Sequence, residues 1–239
     1  LEKTDEDMPA RKAMFDGLAL GLSQSNPSLA LDFVRRQTDP QAQEHLAYES
    51  IWGVIYTKGQ KEAQAWMDQL AGSPETKPET IKSVLGALLS SQLRGEPEEF
   101  AEYLNSHRSA PWFDQSAVEN AWRKMAATGS PEKLLNAAGM LPDDDFRHSL
   151  ATTAVNRFMT ADHNTVGNWL KEHRDSPLYD QVTSTFAMKV KSLDADAAAT
   201  WAATIKDETL RRATLEKMAT SPNASPPGGI GSGVPSRKQ

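Results

Sequence analysis

A short helix-capping signal recurs along the chain at nearly equal intervals, and this recurrence constrains the fold more than any other feature. Each signal is a small or polar residue, often followed by proline, that precedes an amphipathic run. The second residues of the six signals are Pro27, Gln60, Pro97, Pro131, His163 and Ala195. The steps between them are 33, 37, 34, 32 and 32 residues. A period of about 34 residues is typical of two short helices and their turns.

The chemistry of these signals identifies them as helix starts. Asparagine, serine and aspartate side chains accept hydrogen bonds from the free amides of a first helical turn. Proline is tolerated at the first helical position, where no amide is needed. We therefore predict a helix, called helix A, at each of the six signals.

Apolar columns hold at fixed distances from these starts. The positions three and seven residues on are apolar or aromatic in all six units. The position six residues on is occupied by Phe33, Trp66, Tyr103, Ala137, Trp169 and Trp201. Two further columns lie nine and five residues before each start, with Gln92 as the one polar exception. These spacings are typical of one buried stripe on each of two α-helices.

The second helix of each unit, helix B, has start signals of its own. They stand at Asp39–Pro40, Lys77–Pro78, Pro111 to Asp114, Pro142–Asp143, Ser176–Pro177 and Lys206–Asp207, while Met8–Pro9 opens a leading half unit. No segment has the period-2 alternation of a half-buried strand.

The pattern predicts an all-α fold, a right-handed α-solenoid of about six αα-hairpin repeats behind a leading half repeat. The period is 32–37 residues, and the repeat domain covers residues 1–221. Residues 222–239 are rich in proline, glycine and serine and are predicted to form a disordered tail. Because Leu1 falls inside a repeat, we expect a further segment upstream.

The unit length and two-helix plan resemble the α-solenoid superfamily, the tetratricopeptide-like and HEAT-like bacterial helical repeats. An aromatic residue in helix A and proline at the unit boundary carry the likeness, although the Leu-Gly pair of strict tetratricopeptide repeats is missing. The resemblance implies binding of a protein or peptide on a concave face, without a cofactor or catalysis.

Composition narrows the partners and the compartment. The net charge of −6 argues against a general nucleic-acid binder, which needs a positive surface. It leaves room for a local basic patch. No apolar stretch approaches the roughly 20 residues that span a bilayer, so no membrane insertion is expected in this segment. The absence of cysteine suits an exported or periplasmic protein but leaves the location undetermined.

The residues that could carry chemistry have structural interpretations that we prefer. The tryptophans of the six-on column predict packing between helices, and Trp52 and Trp112 lie outside the columns. His107 and His173 share a position late in helix A, where a cation is favourable. The run Asp143 to Asp145 predicts capping of a helix start, and Gly229 to Gly233 lacks the strand and helix of a phosphate loop.

No catalytic, metal-binding or cofactor-binding residues are therefore predicted. We expect a non-catalytic scaffold that binds a protein or peptide through a solenoid surface. The alternative is a helical accessory domain of a larger enzyme or membrane-anchored protein whose functional part lies upstream. Binding residues cannot be named at this point, because either helix A or helix B could line the concave face.

Overall fold

Thirteen α-helices make up the part of the chain that the structure describes. The structure is a computed structural model, and it describes the backbone of residues 8–220 and the side chains of residues 13–162 and 164–220. About 79% of this part is helical and it contains no strand, so the all-α prediction is confirmed. The predicted tail at 222–239 and the glycine run within it lie outside the described residues.

The helices follow one another with short connections. Their bounds are α1 (Met8–Ser25), α2 (Pro27–Arg35), α3 (Pro40–Lys58), α4 (Gln60–Ala71), α5 (Pro78–Arg94), α6 (Pro97–His107), α7 (Gln115–Thr128), α8 (Pro131–Gly139), α9 (Asp145–Ala161), α10 (His163–Glu172), α11 (Tyr179–Val190), α12 (Ala195–Ala203) and α13 (Glu208–Thr220).

The even-numbered helices begin at the six residues predicted from the capping signals. The signals act as expected. The side chain of Asn26 accepts a hydrogen bond from the Leu29 amide at 3.2 Å, and that of Asp194 accepts one from the Ala197 amide at 2.8 Å. Each bond satisfies an amide that the first turn leaves free.

Two odd-numbered helices begin slightly later than their signals. The Ser176 hydroxyl accepts a hydrogen bond from the Leu178 amide at 3.2 Å, which closes a turn, and α11 begins only at Tyr179. In the acidic run before α9, Asp144 caps the helix by accepting from the Arg147 amide at 3.0 Å. Asp143 instead pairs with the Arg147 and His148 side chains.

The helices pack mainly against close neighbours in the chain. Each odd-numbered helix contacts the next odd-numbered helix, from α1 with α3 through to α11 with α13. Among the even-numbered helices, α2 packs on α4, and α8 packs on both α6 and α10. Among the described helices, those whose backbones contact one another extensively are at most three positions apart in chain order, as α5 and α8 are. The contacts therefore progress along the chain.

The predicted columns form the core. Every residue three and seven positions after an even-helix start is buried, from Ala30 and Val34 to Ala198 and Ala202. The columns of the odd-numbered helices are buried as well, with their exceptions in the leading helix, where Leu18 is 44% exposed. Gln92 is fully buried, and its amide has no hydrogen-bond partner among the described residues.

Candidate functional site

Most of the aromatic column predicted to pack between helices does so. Trp66 and Trp169 are 2% and 4% exposed, and the Trp66 indole donates a hydrogen bond to the Pro27 carbonyl at 2.9 Å. Trp201 is half-buried and meets the Phe186 ring edge-on, with centroids 5.3 Å apart. Two of these tryptophans are thus closed to ligands, and only Trp201 keeps an accessible edge.

The two histidines that share a position near a helix end have the same local role. Nδ1 of His107 lies 2.9 Å from the Tyr103 carbonyl, and Nδ1 of His173 lies 3.0 Å from the Trp169 carbonyl. Each imidazole stacks on the aromatic ring four residues earlier. These contacts agree with the interpretation of both residues as helix-end groups.

His107 also belongs to a small polar cluster between α4 and α6. Its Nε2 lies 3.2 Å from Asp68, and the Tyr103 hydroxyl donates to the same carboxylate at 3.0 Å. Burial, followed by the charge of Asp68, raises the pKa of Tyr103 above its ordinary range. Trp112, which lies outside the columns, packs against His107 with ring centroids 5.6 Å apart. The cluster joins neighbouring helices, with Tyr103 buried and the Asp68 side chain 41% exposed.

The other histidines of the described side chains form simple pairs with aspartate. His45 Nε2 lies 2.7 Å from Asp16, and His148 Nε2 lies 2.9 Å from Asp143. Nowhere among the described residues do three histidine or acidic side chains converge as a metal site would require.

Three aromatic side chains, two exposed and the middle one half-buried, form a row on α3, which we call the aromatic shelf. It consists of Tyr48, Trp52 and Tyr56, which are spaced four residues apart and so lie on one side of the helix. The Trp52 ring stacks on Tyr56 with centroids 5.7 Å apart and meets Tyr48 edge-on at 6.3 Å. Tyr48 is 39% exposed and Tyr56 is 76% exposed.

The shelf borders an open groove that crosses α3, α5 and α7. The groove has a volume of about 580 Å³. Tyr48 and Trp52 form its α3 wall, and its floor is made of small residues of α5 and α7, namely Gly86, Ala87, Ala117 and Ala121. Small side chains there keep the floor low, and the cavity is large enough to hold several residues of a peptide.

Three cationic side chains lie around the groove. They are Lys82 and Arg94 on α5 and Lys124 on α7, and all three are exposed. The Arg94 guanidinium carbon lies 5.9 Å from the centre of the Trp52 ring, which places a cation over the aromatic shelf. Within the part of the chain that the structure describes, no aspartate or glutamate lines the groove.

Lys82 differs from the other two cations because a carboxylate lies near it. Its ammonium is 3.5 Å from Asp114 and donates to the Ser116 hydroxyl at 2.6 Å. A hydrogen bond from the Ser116 side chain, two backbone amides and the Lys82 charge hold the pKa of Asp114 below its usual range. Arg94 and Lys124, in contrast, form no ion pair with any of the described residues.

A second, smaller concavity lies between α10, α11 and α12. Its volume is about 290 Å³, and Phe186 and Trp201 form its apolar wall. Asn164 and Asn168 contribute amides, while Lys171 and Asp194 contribute one charge of each sign. Compared with the groove, this cavity is half as large and electrically balanced.

Sequence reasoning placed none of the groove residues at a site. In the sequence, Trp52 simply lies outside the apolar columns. The available signal was the four-residue spacing of Tyr48, Trp52 and Tyr56 on a predicted helix, away from its apolar stripe. The cations gave no signal, because Lys82, Arg94 and Lys124 come together only when α5 and α7 pack side by side.

Comparison with known proteins leaves the fold and the groove as the basis for function. No protein family, curated protein or solved structure matches the chain. Within residues 8–220, none of the helices has the length and apolar character needed to cross a lipid bilayer.

Proposed function

We propose that this chain is a non-catalytic scaffold that binds a peptide segment of a partner protein in the groove across α3, α5 and α7. In this proposal the helices form a right-handed α-solenoid of six αα-hairpin repeats behind a leading half repeat, of the tetratricopeptide-like or HEAT-like kind. The odd-numbered helices line its concave face.

The contact pattern supports a solenoid. A solenoid requires that each unit pack only on its neighbours, and the extensive backbone contacts among the described helices progress along the chain. The six even-numbered helices also begin at the repeat anchors. Both features follow from a fold built of one repeated hairpin.

The difference in spacing between the two sets of helices supports the assignment of the concave face. All successive odd-numbered helices approach one another closely, whereas α4 and α6 are not among the pairs with extensive backbone contact. The side chains of Tyr103 and His107 join those two helices instead, through Asp68. In a curved array the more closely spaced layer lies on the inside, so the groove would open on the concave face.

The observation that carries the binding proposal is the exposed aromatic shelf beside an open groove. Aromatic side chains are enriched at the centres of protein interfaces because they bury a large area at a low cost in side-chain entropy. The Tyr56 side chain is 76% exposed, whereas Trp66, Tyr103 and Trp169 of the aromatic column are buried. A binding partner would cover this surface.

The residues around the groove favour binding over catalysis. Acid–base or nucleophilic chemistry needs a base held within hydrogen-bond distance of a reacting group. Of the described residues, those lining the groove include no histidine and no carboxylate that could serve as such a base.

A selection from a random peptide library displayed on phage tests this function. The wild-type chain is compared with the double variant Tyr48→Ala/Tyr56→Ala, which removes two exposed rings and should fold normally. The matched control is Leu193→Ala, because Leu193 is 70% exposed and lies beside the smaller cavity. We expect peptides enriched by the wild type and by the control, and a loss of this enrichment in the double variant.

Two outcomes would contradict the proposal. If no sequence is enriched by the wild type, the groove is not a peptide site. If the double variant retains the enriched peptides and Leu193→Ala loses them, the binding surface is the cavity between α10, α11 and α12.

A further inference from the structure

The distribution of charge around the groove runs against that of the whole molecule. The chain has 32 acidic and 26 lysine or arginine residues and a net charge of −6. The described residues that line the groove nevertheless include three cations and no carboxylate. Cations at the edge of a concave site that excludes carboxylates attract an anionic ligand and repel a cationic one.

The cations are spread along the groove rather than gathered at one point. Lys82 and Arg94 are 12 positions apart in one helix, so their backbone positions are separated by about 18 Å along its axis. An extended peptide covers this distance with about five or six residues. A bound segment could therefore place one carboxylate near each end of α5 and a third near Lys124 on α7.

Between the charged ends the groove is apolar or weakly polar. Gly86 lies in the floor, and a side-chain carbon added there would meet no atom within 4 Å, so the floor is open at this position. Trp52, with the Arg94 guanidinium over its ring, also lines the groove. This middle section suits an aromatic or large aliphatic side chain of the ligand.

Building on the proposed function, we infer that the groove selects acidic peptide segments, with carboxylates on both sides of an aromatic or large aliphatic residue. Arg94 and Lys124 would contribute most of the charge selectivity. Lys82 would contribute less, because Asp114 already neutralises it in part.

A peptide fits the groove better than the other common anionic ligand, a single-stranded nucleic acid. Bases also stack on aromatic rings, but nucleic-acid affinity depends on many phosphate contacts with an extended positive surface. Here three cations lie on a protein of net negative charge. Carboxylates confined to a short segment can use these three cations without extending over the acidic remainder of the surface.

Fluorescence anisotropy with defined probes tests the inference. The probes are three labelled peptides of about nine residues that share a central phenylalanine and carry glutamate, serine or lysine on both sides, together with a thymidine decamer. The full chain is titrated against each probe at about 50 mM and about 300 mM salt. The glutamate peptide is expected to bind most tightly and to lose affinity at the higher salt concentration.

A pair of charge-matched variants locates the effect. The groove variant is Arg94→Gln/Lys124→Gln, and the control is Lys189→Gln/Arg212→Gln, which removes the same charge from exposed positions on α11 and α13. We expect the groove variant to weaken binding of the glutamate peptide by about tenfold. The control should change it by less than about twofold, because its cations lie outside the groove.

The outcomes separate this inference from the function on which it rests. If the serine or lysine peptide binds as tightly as the glutamate peptide and requires Tyr48 and Tyr56, the charge selectivity is wrong while peptide binding stands. If the decamer binds more tightly than the glutamate peptide and is lost in the groove variant, the ligand is a nucleic acid. If no probe binds and the phage selection also fails, both proposals are wrong.

Discussion

Trp66 and Trp52 show how differently the even-numbered and the odd-numbered helices use the same residue type. Trp66 lies in an even-numbered helix, is almost fully buried, and donates its indole hydrogen to the carbonyl of Pro27 in the preceding even-numbered helix. Trp52 lies in an odd-numbered helix and lines the open groove. These two tryptophans therefore differ in role: Trp66 joins neighbouring even-numbered helices, whereas Trp52 forms part of an open surface.

The two sets also differ in how neighbouring helices approach one another. Between α1 and α3 the backbones are so close that a side-chain carbon added at Gly53 would lie 1.9 Å from the Ser23 hydroxyl. Between α4 and α6 the long side chains of Tyr103 and His107 reach Asp68 across the gap. Close packing of the odd-numbered helices leaves their outward residues on a continuous surface.

The largest expected effect is a difference in the free energy of unfolding that is lost when Trp66 or Trp52 is replaced by alanine. Trp66→Ala should lower the free energy of unfolding by about 3–5 kcal/mol, since it removes a buried ring and leaves a cavity. Trp52→Ala should lower it by about 1–2 kcal/mol, since that ring is already partly in water. Urea denaturation followed by circular dichroism measures both values. Equal losses would contradict the distinction between the two sets of helices.

Two buried glutamines in odd-numbered helices provide a second contrast. Gln92 has an amide without a partner among the described residues, so Gln92→Leu should raise the free energy of unfolding by about 1–3 kcal/mol. Gln43 accepts from the Lys77 amide at 2.9 Å and donates to the Glu75 carbonyl at 3.1 Å. Because Gln43→Leu would remove these hydrogen bonds, it should lower the free energy of unfolding by a similar amount.

The same urea titrations check this pair. If both leucine variants shift the unfolding midpoint in the same direction, the hydrogen bonds of Gln43 do not set the difference between the two sites.

Two glycines test the close approach of the odd-numbered helices. Gly53→Ala should destabilise the protein by about 1–2 kcal/mol, because overlap with Ser23 outweighs the gain in helix propensity. Gly86→Ala should stabilise it by about 0.5–1 kcal/mol, because nothing lies within 4 Å of the added carbon. Thermal unfolding compares the two variants.

Ser23→Ala serves as the control for the glycine pair. It removes the hydroxyl oxygen nearest to the added carbon, so it should recover part of the stability lost in Gly53→Ala. No recovery would show that the helices adjust without strain and are not closely packed at this point.

A further expected effect, of about 1 kcal/mol, concerns the buried hydroxyl between α4 and α6. The raised pKa of Tyr103 means that the folded chain keeps its proton above about pH 10, where the unfolded chain loses it. The stability that this group contributes is therefore fully present below about pH 10 and is lost as the pH rises further. Tyr103→Phe should reduce the loss of stability between about pH 9 and pH 11 by about 1 kcal/mol. Urea titrations at the two pH values measure this loss for the wild type and for Tyr103→Phe. If both proteins lose the same stability, the hydroxyl of Tyr103 is not buried.

The helix starts and the core could be predicted because they depend on local signals. The residues before Pro27 and Ala195 cap the helices in which they were predicted to do so, and columns that repeat over six units become the core. The start of α11 was less predictable, because Ser176 closes a turn that precedes the helix and does not cap it.

The groove could not be predicted because it depends on how helices pack side by side. Lys82, Arg94 and Lys124 are ordinary exposed cations in the sequence, and no periodic pattern links them. Their shared position follows from the packing of α5 on α7. The partnerless amide of Gln92 was likewise visible only as a polar exception in an apolar column.

Photo-crosslinking from the two sets of helices tests most directly whether the odd-numbered helices carry the binding surface. A benzophenone amino acid replaces Tyr56 on α3 in one protein and the exposed Ala65 on α4 in another, and each protein is irradiated with the same random peptide pool. Peptide adducts are expected from position 56, and few are expected from position 65. Equal yields, or adducts from position 65 alone, would contradict this expectation.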